Sequence, residues 1–137
     1  MNRYVLDACA LIAFINNEKG ADVVEKLLIE ASLGRCRISM NKFNLLEVHY
    51  GYLREKGEKF AENILNIVEN SGIQIIDVLT DELFCSASKF KASYRISLAD
   101  AIALAQASIE NAPLVTADHH ELDAVETDGK VKFHWVR

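Results

Sequence analysis

Four acidic residues stand where a carboxylate is costly unless something uses it. Asp7 closes the β-branched and aromatic run Arg3-Tyr4-Val5-Leu6, and Asp118 follows the apolar run Pro113-Leu114-Val115-Thr116. Each falls at the carboxyl end of a predicted strand, and in open parallel sheets the functional crevice lies beyond those ends. Glu47 stands four residues after Phe43 and three before Tyr50, a spacing that places it on the apolar face of a predicted helix. Asp100 has Ala103, Leu104 and Ala107 stacked above it on an almost wholly apolar helix, so its carboxylate meets the same desolvation cost. No basic residue lies beside these acids at helical spacing. The missing positive charge points to a cation supplied from outside. Oxygen-only ligands suit a hard divalent ion such as Mg²⁺ or Mn²⁺, which keeps much of its water and takes few protein contacts.

Each acid also has a purely structural reading. Asp7 can cap the helix that follows it, and Asp118 the turn after Ala117. Asp100 stands three residues after Ser97, the spacing of a capping box, although the usual acceptor there is Glu or Gln. Glu47 has no capping task, and its structural alternative is a buried ion pair with an arginine. His119 and His120 read either as general bases or as part of a solvated turn. Glu121 and Asp123 read as surface charges or as part of a second metal site. Both readings of each residue stand at this level.

The elements that must position these groups follow from hydrophobic spacing. Strands are expected at Arg3 to Asp7, Cys36 to Met40, Ile73 to Asp77, Pro113 to Thr116 and Val131 to Trp135. Helices are expected at Ala10 to Ile15, Gly20 to Leu33, Asn41 to Glu55, Glu58 to Asn70, Thr80 to Tyr94 and Ser97 to Glu110, with a short helical turn from Asp118 to Val125. The core stripe of the third helix reads as Phe43, Leu46, Tyr50 and Leu53. Strands alternate with helices nearly throughout. That order calls for an α/β fold, a three-layer sandwich with a mainly parallel central sheet.

At 137 residues the chain has room for one domain, residues 1–137, and with 50% apolar and 26% charged residues it is globular rather than disordered. A net charge of −5 is the wrong sign for coating nucleic acid non-specifically, so any such contact must be local. Cys9, Cys36 and Cys85 have no zinc-site spacing, and a reducing cytoplasm fits them best. Ala8 to Ile15 imitates a signal peptide, but Asp7 sits at its entrance and no cleavage site follows. No apolar run approaches the ~20 residues of a membrane-spanning helix, so no membrane partner is expected.

Taken together, Tyr4-Val5-Leu6-Asp7, Asn44-Leu45-Leu46-Glu47-Val48-His49-Tyr50-Gly51, Ile96-Ser97-Leu98-Ala99-Asp100-Ala101 and Leu114-Val115-Thr116-Ala117-Asp118 resemble the PIN domain. This family of small metal-dependent ribonucleases includes the VapC-type toxins of toxin–antitoxin pairs. The resemblance runs along the whole chain, and it is the combination and order of the pieces that is specific. It implies that Asp7, Glu47, Asp100 and Asp118 form a catalytic metal pocket, with Ser97, Thr116 and Asn44 orienting it. It implies a Mg²⁺ or Mn²⁺ cofactor, hydrolysis of RNA by activated water to 5′-phosphate and 3′-hydroxyl ends, a cognate antitoxin and a homodimer. One departure stands out: many members carry Ser or Thr two residues after the first Asp, where this chain has Cys9.

Basic residues offer RNA an approach. Arg35, Arg37, Lys42, Arg54, Lys56 and Lys59 outnumber the acids of their segment, and Lys89, Lys91 and Arg95 form a second group. Asp118 to Asp128 carries five acids and no Lys or Arg, a surface expected to meet RNA only at Asp118. Leu27, Leu28, Tyr50, Tyr52, Leu53 and Phe60 are expected to form an apolar surface covered by a second copy. Two other functions are compatible with the fold class: a catalytically silent PIN-like module that binds RNA or protein, and a receiver- or dehalogenase-type phosphate domain. The silent module predicts loss of one acid, and all are present. A dehalogenase needs a second Asp where Cys9 stands, and a receiver needs an acid pair after the first strand, which is lacking.

Overall fold

The computed structural model describes residues 1–137. Strand β1 (Asn2–Leu6) leads into helices α1 (Ala8–Ile15) and α2 (Ala21–Ser32), and β2 (Cys36–Asn41) into α3 (Lys42–Lys56) and α4 (Glu58–Asn70). Strand β3 (Gln74–Ile76) leads into α5 (Asp81–Ser93) and α6 (Leu98–Glu110), β4 (Leu114–Thr116) into α7 (His119–Thr127), and β5 (Phe133–Trp135) closes the sheet. The strands lie in the order β3-β2-β1-β4-β5 with every neighbouring pair parallel.

Side chains on a strand alternate between faces, and the two halves of the core follow that rule. Leu6 and Val115 pack with Leu11, Val24, Val48 and Ile64 from α1 to α4, whereas Val5 and Leu114 pack with Leu83, Leu104 and Leu122 from α5 to α7. Helices therefore cover both faces, giving the expected three-layer α/β sandwich. From β1 the chain moves outward to β2 and β3, then returns to the other side of β1 for β4 and β5. The carboxyl ends of β1 and β4 thus flank a topological switch point, where such sheets form their crevice.

Two expectations about faces need correction. Phe43, Leu46, Tyr50 and Leu53 point outward, with 38, 53, 46 and 40% of their surface exposed, while Asn44, Leu45, Val48 and Tyr52 of α3 are the ones buried in the protein interior. Both stripes recur at helical spacing, and periodicity alone cannot say which one meets the sheet. Leu27, Leu28 and Tyr52 belong to the core, so of the surface expected to pair with a second copy only Tyr50, Leu53 and Phe60 are exposed. Smaller differences concern ends: α1 starts at Ala8, directly after Asp7, α7 is a helix to Thr127, and β5 begins at Phe133.

The chain's end is fastened beside the crevice. Val136 donates its N–H to the Thr116 carbonyl, and Arg137 donates to the Glu18 carboxylate at 3.1 Å. Gly20 makes that approach possible, since a Cβ there would stand 2.6 Å from the Val136 carbonyl oxygen and its φ of +96° suits glycine.

Candidate active site

Asp7 is the first residue after β1, and its Oδ1 accepts the Ala10 N–H at 2.8 Å, capping α1. Capping and placement at the crevice are therefore one feature: the helix end that holds Asp7 also fixes its carboxylate at the switch point. The Thr116 hydroxyl, fully buried at the end of β4, accepts the Asp118 N–H at 3.1 Å and lies near enough to Asp7 to favour its charged carboxylate. One hydroxyl thus links the acids of neighbouring strands. Asp118 in turn caps α7, its Oδ1 accepting the Glu121 N–H at 3.1 Å.

Across the crevice, Ser97 Oγ accepts the Asp100 N–H at 3.0 Å, and Ser97 favours the charged form of the Asp100 carboxyl. The spacing is that of a capping box with Asp in the place of Glu, and the bond formed is the Ser97 cap on the first turn of α6. Asn44 on α3 donates Nδ2 to the Ala99 carbonyl at 2.9 Å, joining the helix of Glu47 to the first turn of α6. Asn44 Oδ1 is buried with no protein donor in reach. A second polar chain lies deeper in the same interface. Asn41 donates to Gln106, Gln106 to Glu110, and the Ser39 hydroxyl to Glu110 at 2.8 Å, tying β2 to α6. The sequence reading missed Ser39, Asn41, Gln106 and Glu110, because their partners lie more than 60 positions apart except for the Gln106–Glu110 step.

Electrostatics shows that the acids share one field. Burial pushes the Asp7 carboxyl up to about 7, against the effects of Thr116 and the Ala10 N–H, and the charges of Asp100 and Asp118 add to the rise. Partial burial raises Glu47, with Asp100 and Asp118 contributing. Asp100 is raised by burial and by Asp118 and Glu121, against the effect of Ser97. Cys9 lies at the same rim, its thiol pushed up to about 11 by burial and then by Asp7. No Lys, Arg or His forms an ion pair with Asp7, Glu47, Asp100 or Asp118, since the ion pairs are Arg35–Glu30, His119–Asp123 and Arg137–Glu18. The buried arginine pair considered for Glu47 is therefore not what holds it.

The donor set fits a hydrated divalent ion. Carboxylates that repel one another, beside an unpartnered buried amide oxygen, gain from an added positive charge. No three of these side chains draw together closely enough to cage an ion by themselves.

The PIN domain family profile matches residues 4–127. The chain belongs to the PIN domain family. No curated protein matches it in sequence. Among solved structures, this PIN domain is similar to VapBC2 from Rickettsia felis bound to a promoter DNA fragment, with a TM-score of 0.73 and 18% identity over 97% of this chain and 98% of that one. DNA-bound VapBC from Salmonella typhimurium gives 0.73 and 16% over 100% of both chains. VapC20 of Mycobacterium tuberculosis, a Sarcin-Ricin loop cleaving toxin, gives 0.68 and 13% over 88% of this chain and 94% of that one.

Other candidates of this PIN domain have structural tasks. His119 stacks on Trp135 with ring centroids 3.8 Å apart, and its ring nitrogens meet Asp123 and the Arg137 carbonyl, each at 2.8 Å. Neither nitrogen is left free to act as a base. Lys91 donates to the Ile96 carbonyl at 2.7 Å, holding the connection between α5 and α6, and Arg35 pairs with Glu30.

Proposed function

We propose that the chain is a Mg²⁺- or Mn²⁺-dependent endoribonuclease, the toxin of a type II toxin–antitoxin pair, with residues 1–137 as one PIN-like domain. The observation that carries this reading is a buried Asp7 that feels the charges of Asp100 and Asp118, with Glu47 feeling the same two, and none of the four paired with a cationic side chain. A cluster of that kind is costly on its own and becomes favourable around a cation.

Asp7, Asp100 and Asp118 would hold the ion, with Glu47 holding it from α3 or orienting the attacking water. Bound there, the ion supplies activation of water and neutralises charge building on the phosphate. Thr116 keeps the Asp7 carboxylate turned to the crevice, the Ser97 cap does the same for Asp100, and Asn44 sets the distance between α3 and α6. The rim residue Cys9 offers a thiol where a hydroxyl is common in the family, so this chain's contact to substrate at that point is weaker.

The toxin reading is supported by solved neighbours that are VapBC pairs. The antitoxin is accordingly the proposed protein partner. Homodimer formation would cover the outward stripe of α3, Phe43, Leu46, Tyr50 and Leu53, together with Val78 and Leu79 after β3, which line one continuous apolar groove with Phe43 and Leu46. No helix is long and apolar enough to cross a membrane, and three unpaired cysteines suit a cytoplasmic location.

The test is cleavage of a structured RNA by the purified chain in Mg²⁺ or Mn²⁺, stopping with EDTA and leaving 5′-phosphate ends. Asp7→Asn and Glu47→Gln should each slow it by about 100-fold or more while keeping the parent's circular dichroism. Undiminished cutting by both variants would sink the proposed site.

A further inference from the structure

A second group of residues lies on the opposite half of the α5–α6 pair and has no part in the carboxylate crevice. Ser86, Lys89 and Ser93 recur at spacings of three and four along one stripe of α5. They face Ser108 of α6, Tyr94 and Lys130 across a cleft of about 350 Å³. No Asp or Glu lines this cleft, although the chain carries a net charge of −5. Lys130 sits over the Tyr94 ring, 5.5 Å from its centroid, and Tyr94 is anchored through its hydroxyl to Asp128 at the edge. Neither Lys89 nor Lys130 has an ion-pair partner.

Two ammonium groups and three serine hydroxyls facing one space form a donor set for phosphate oxygens. The lysines are exposed and the cleft is open, which suits a phosphodiester of a strand passing over the surface better than an enclosed small anion. Position supplies the second argument. Ser108 is eight residues beyond Asp100 on the same helix, an axial distance of about 12 Å. A strand engaged at Asp100 can reach the cleft with a few nucleotides.

We infer that the Lys89–Lys130 cleft holds a backbone phosphate of the RNA strand whose reacting phosphate lies at Asp7 and Asp100. This rests on the ribonuclease reading, and it adds a binding site that the acidic pocket does not contain. The site is sequence-independent: it would lower KM for strands long enough to span both places and leave kcat unchanged.

The experiment is anisotropy of a labelled single-stranded RNA long enough to span both places, titrated with the full chain in Ca²⁺ between about 50 and 200 mM KCl. The parent should bind with a salt slope that the Lys89→Ala/Lys130→Ala variant makes shallower by about 1.4, roughly 0.7 for each lost phosphate contact. Lys26→Ala, on exposed α2, should leave the slope unchanged. An unchanged slope in the double variant, or no binding by the parent, overturns the cleft. Equal affinity of the parent for adenosine monophosphate, lost in the double variant, also overturns it, since the cleft would then serve a free nucleotide. The two readings fail differently. A parent that binds with the expected slopes but does not cut in Mg²⁺ removes the nuclease and keeps the cleft, whereas a parent that cuts with slopes indifferent to both lysines removes the cleft alone.

Discussion

Asn44 donates its side-chain amide to the main-chain carbonyl of Ala99, the residue before Asp100, at 2.9 Å. This bond joins two helices that have no covalent reason to be neighbours, and it sets how far Glu47 stands from Asp100. Its geometry also fixes the amide's orientation, because a flipped Asn44 would point its oxygen at another carbonyl. The buried Oδ1 is thus left facing a place that only water or an ion can satisfy.

Asn44→Ala should destabilise the chain by about 1–3 kcal/mol, the usual effect of leaving a buried carbonyl without its donor. Urea unfolding of parent and variant measures it. A loss below a few tenths of a kcal/mol would mean that Ala99 finds another donor and that Asn44 does not hold the helices together.

Thr116→Val keeps the shape of a fully buried side chain and removes the hydroxyl between Asp7 and Asp118. The Asp7 carboxyl should rise further, and affinity for Mn²⁺ should drop by about 10–100-fold, the range for losing a group that orients a ligand. Calorimetric titration of Mn²⁺ into both proteins decides it, and equal affinities would assign Thr116 to packing alone.

The raised Asp7 carboxyl links stability to pH in a definite direction. Its folded value, about 7, lies above the ordinary 3.8, so it contributes stability below 3.8 and loses it as pH rises through 7. Metal-free protein should therefore melt lower at pH 8 than at pH 5 as far as this group is concerned, and Asp7→Asn should flatten that difference. Asp100 is raised in the same direction, and Asp100→Asn should likewise raise the metal-free melting temperature. Divalent ion at a hundredfold excess over its Kd should restore about 2.7 kcal/mol to the parent and less to either variant. Thermal scans of parent and variants at pH 5 and pH 8, with EDTA and with Mg²⁺, measure each of these effects. Variants that melt lower in EDTA and keep the full metal increment would reduce both acids to helix caps.

Leu46 is the most exposed apolar residue of α3 and lines the groove with Val78 and Leu79. Leu46→Glu should shift sedimentation of the chain from dimer to monomer at micromolar concentration without lowering its melting temperature in the monomeric state. A parent that sediments only as monomer would leave that groove to the antitoxin.

Much of this protein was legible from local chemistry. Alternating strands and helices determined a parallel α/β sandwich because parallel neighbours need crossover helices, and Asp7 and Asp118 were placed at strand ends by the apolar runs that stop there. The capping roles of Ser97, Asp7 and Asp118 were equally readable, since a cap and its recipient lie three residues apart. The outward face of α3 was not readable. Phe43–Leu46–Tyr50 and Leu45–Val48–Tyr52 are equally good helical stripes, and only the position of the sheet selects the second for burial. Contacts between distant segments were closed to sequence for the same reason: Asn44 with Ala99, Asn41 with Gln106, and Lys130 with the Lys89 stripe depend on how α3, α5 and α6 pack. Residue types and their spacing determined which groups were chemically capable, whereas the tertiary structure decided which of them share a desolvated space, because burial and mutual repulsion arise only when the helices close on the sheet.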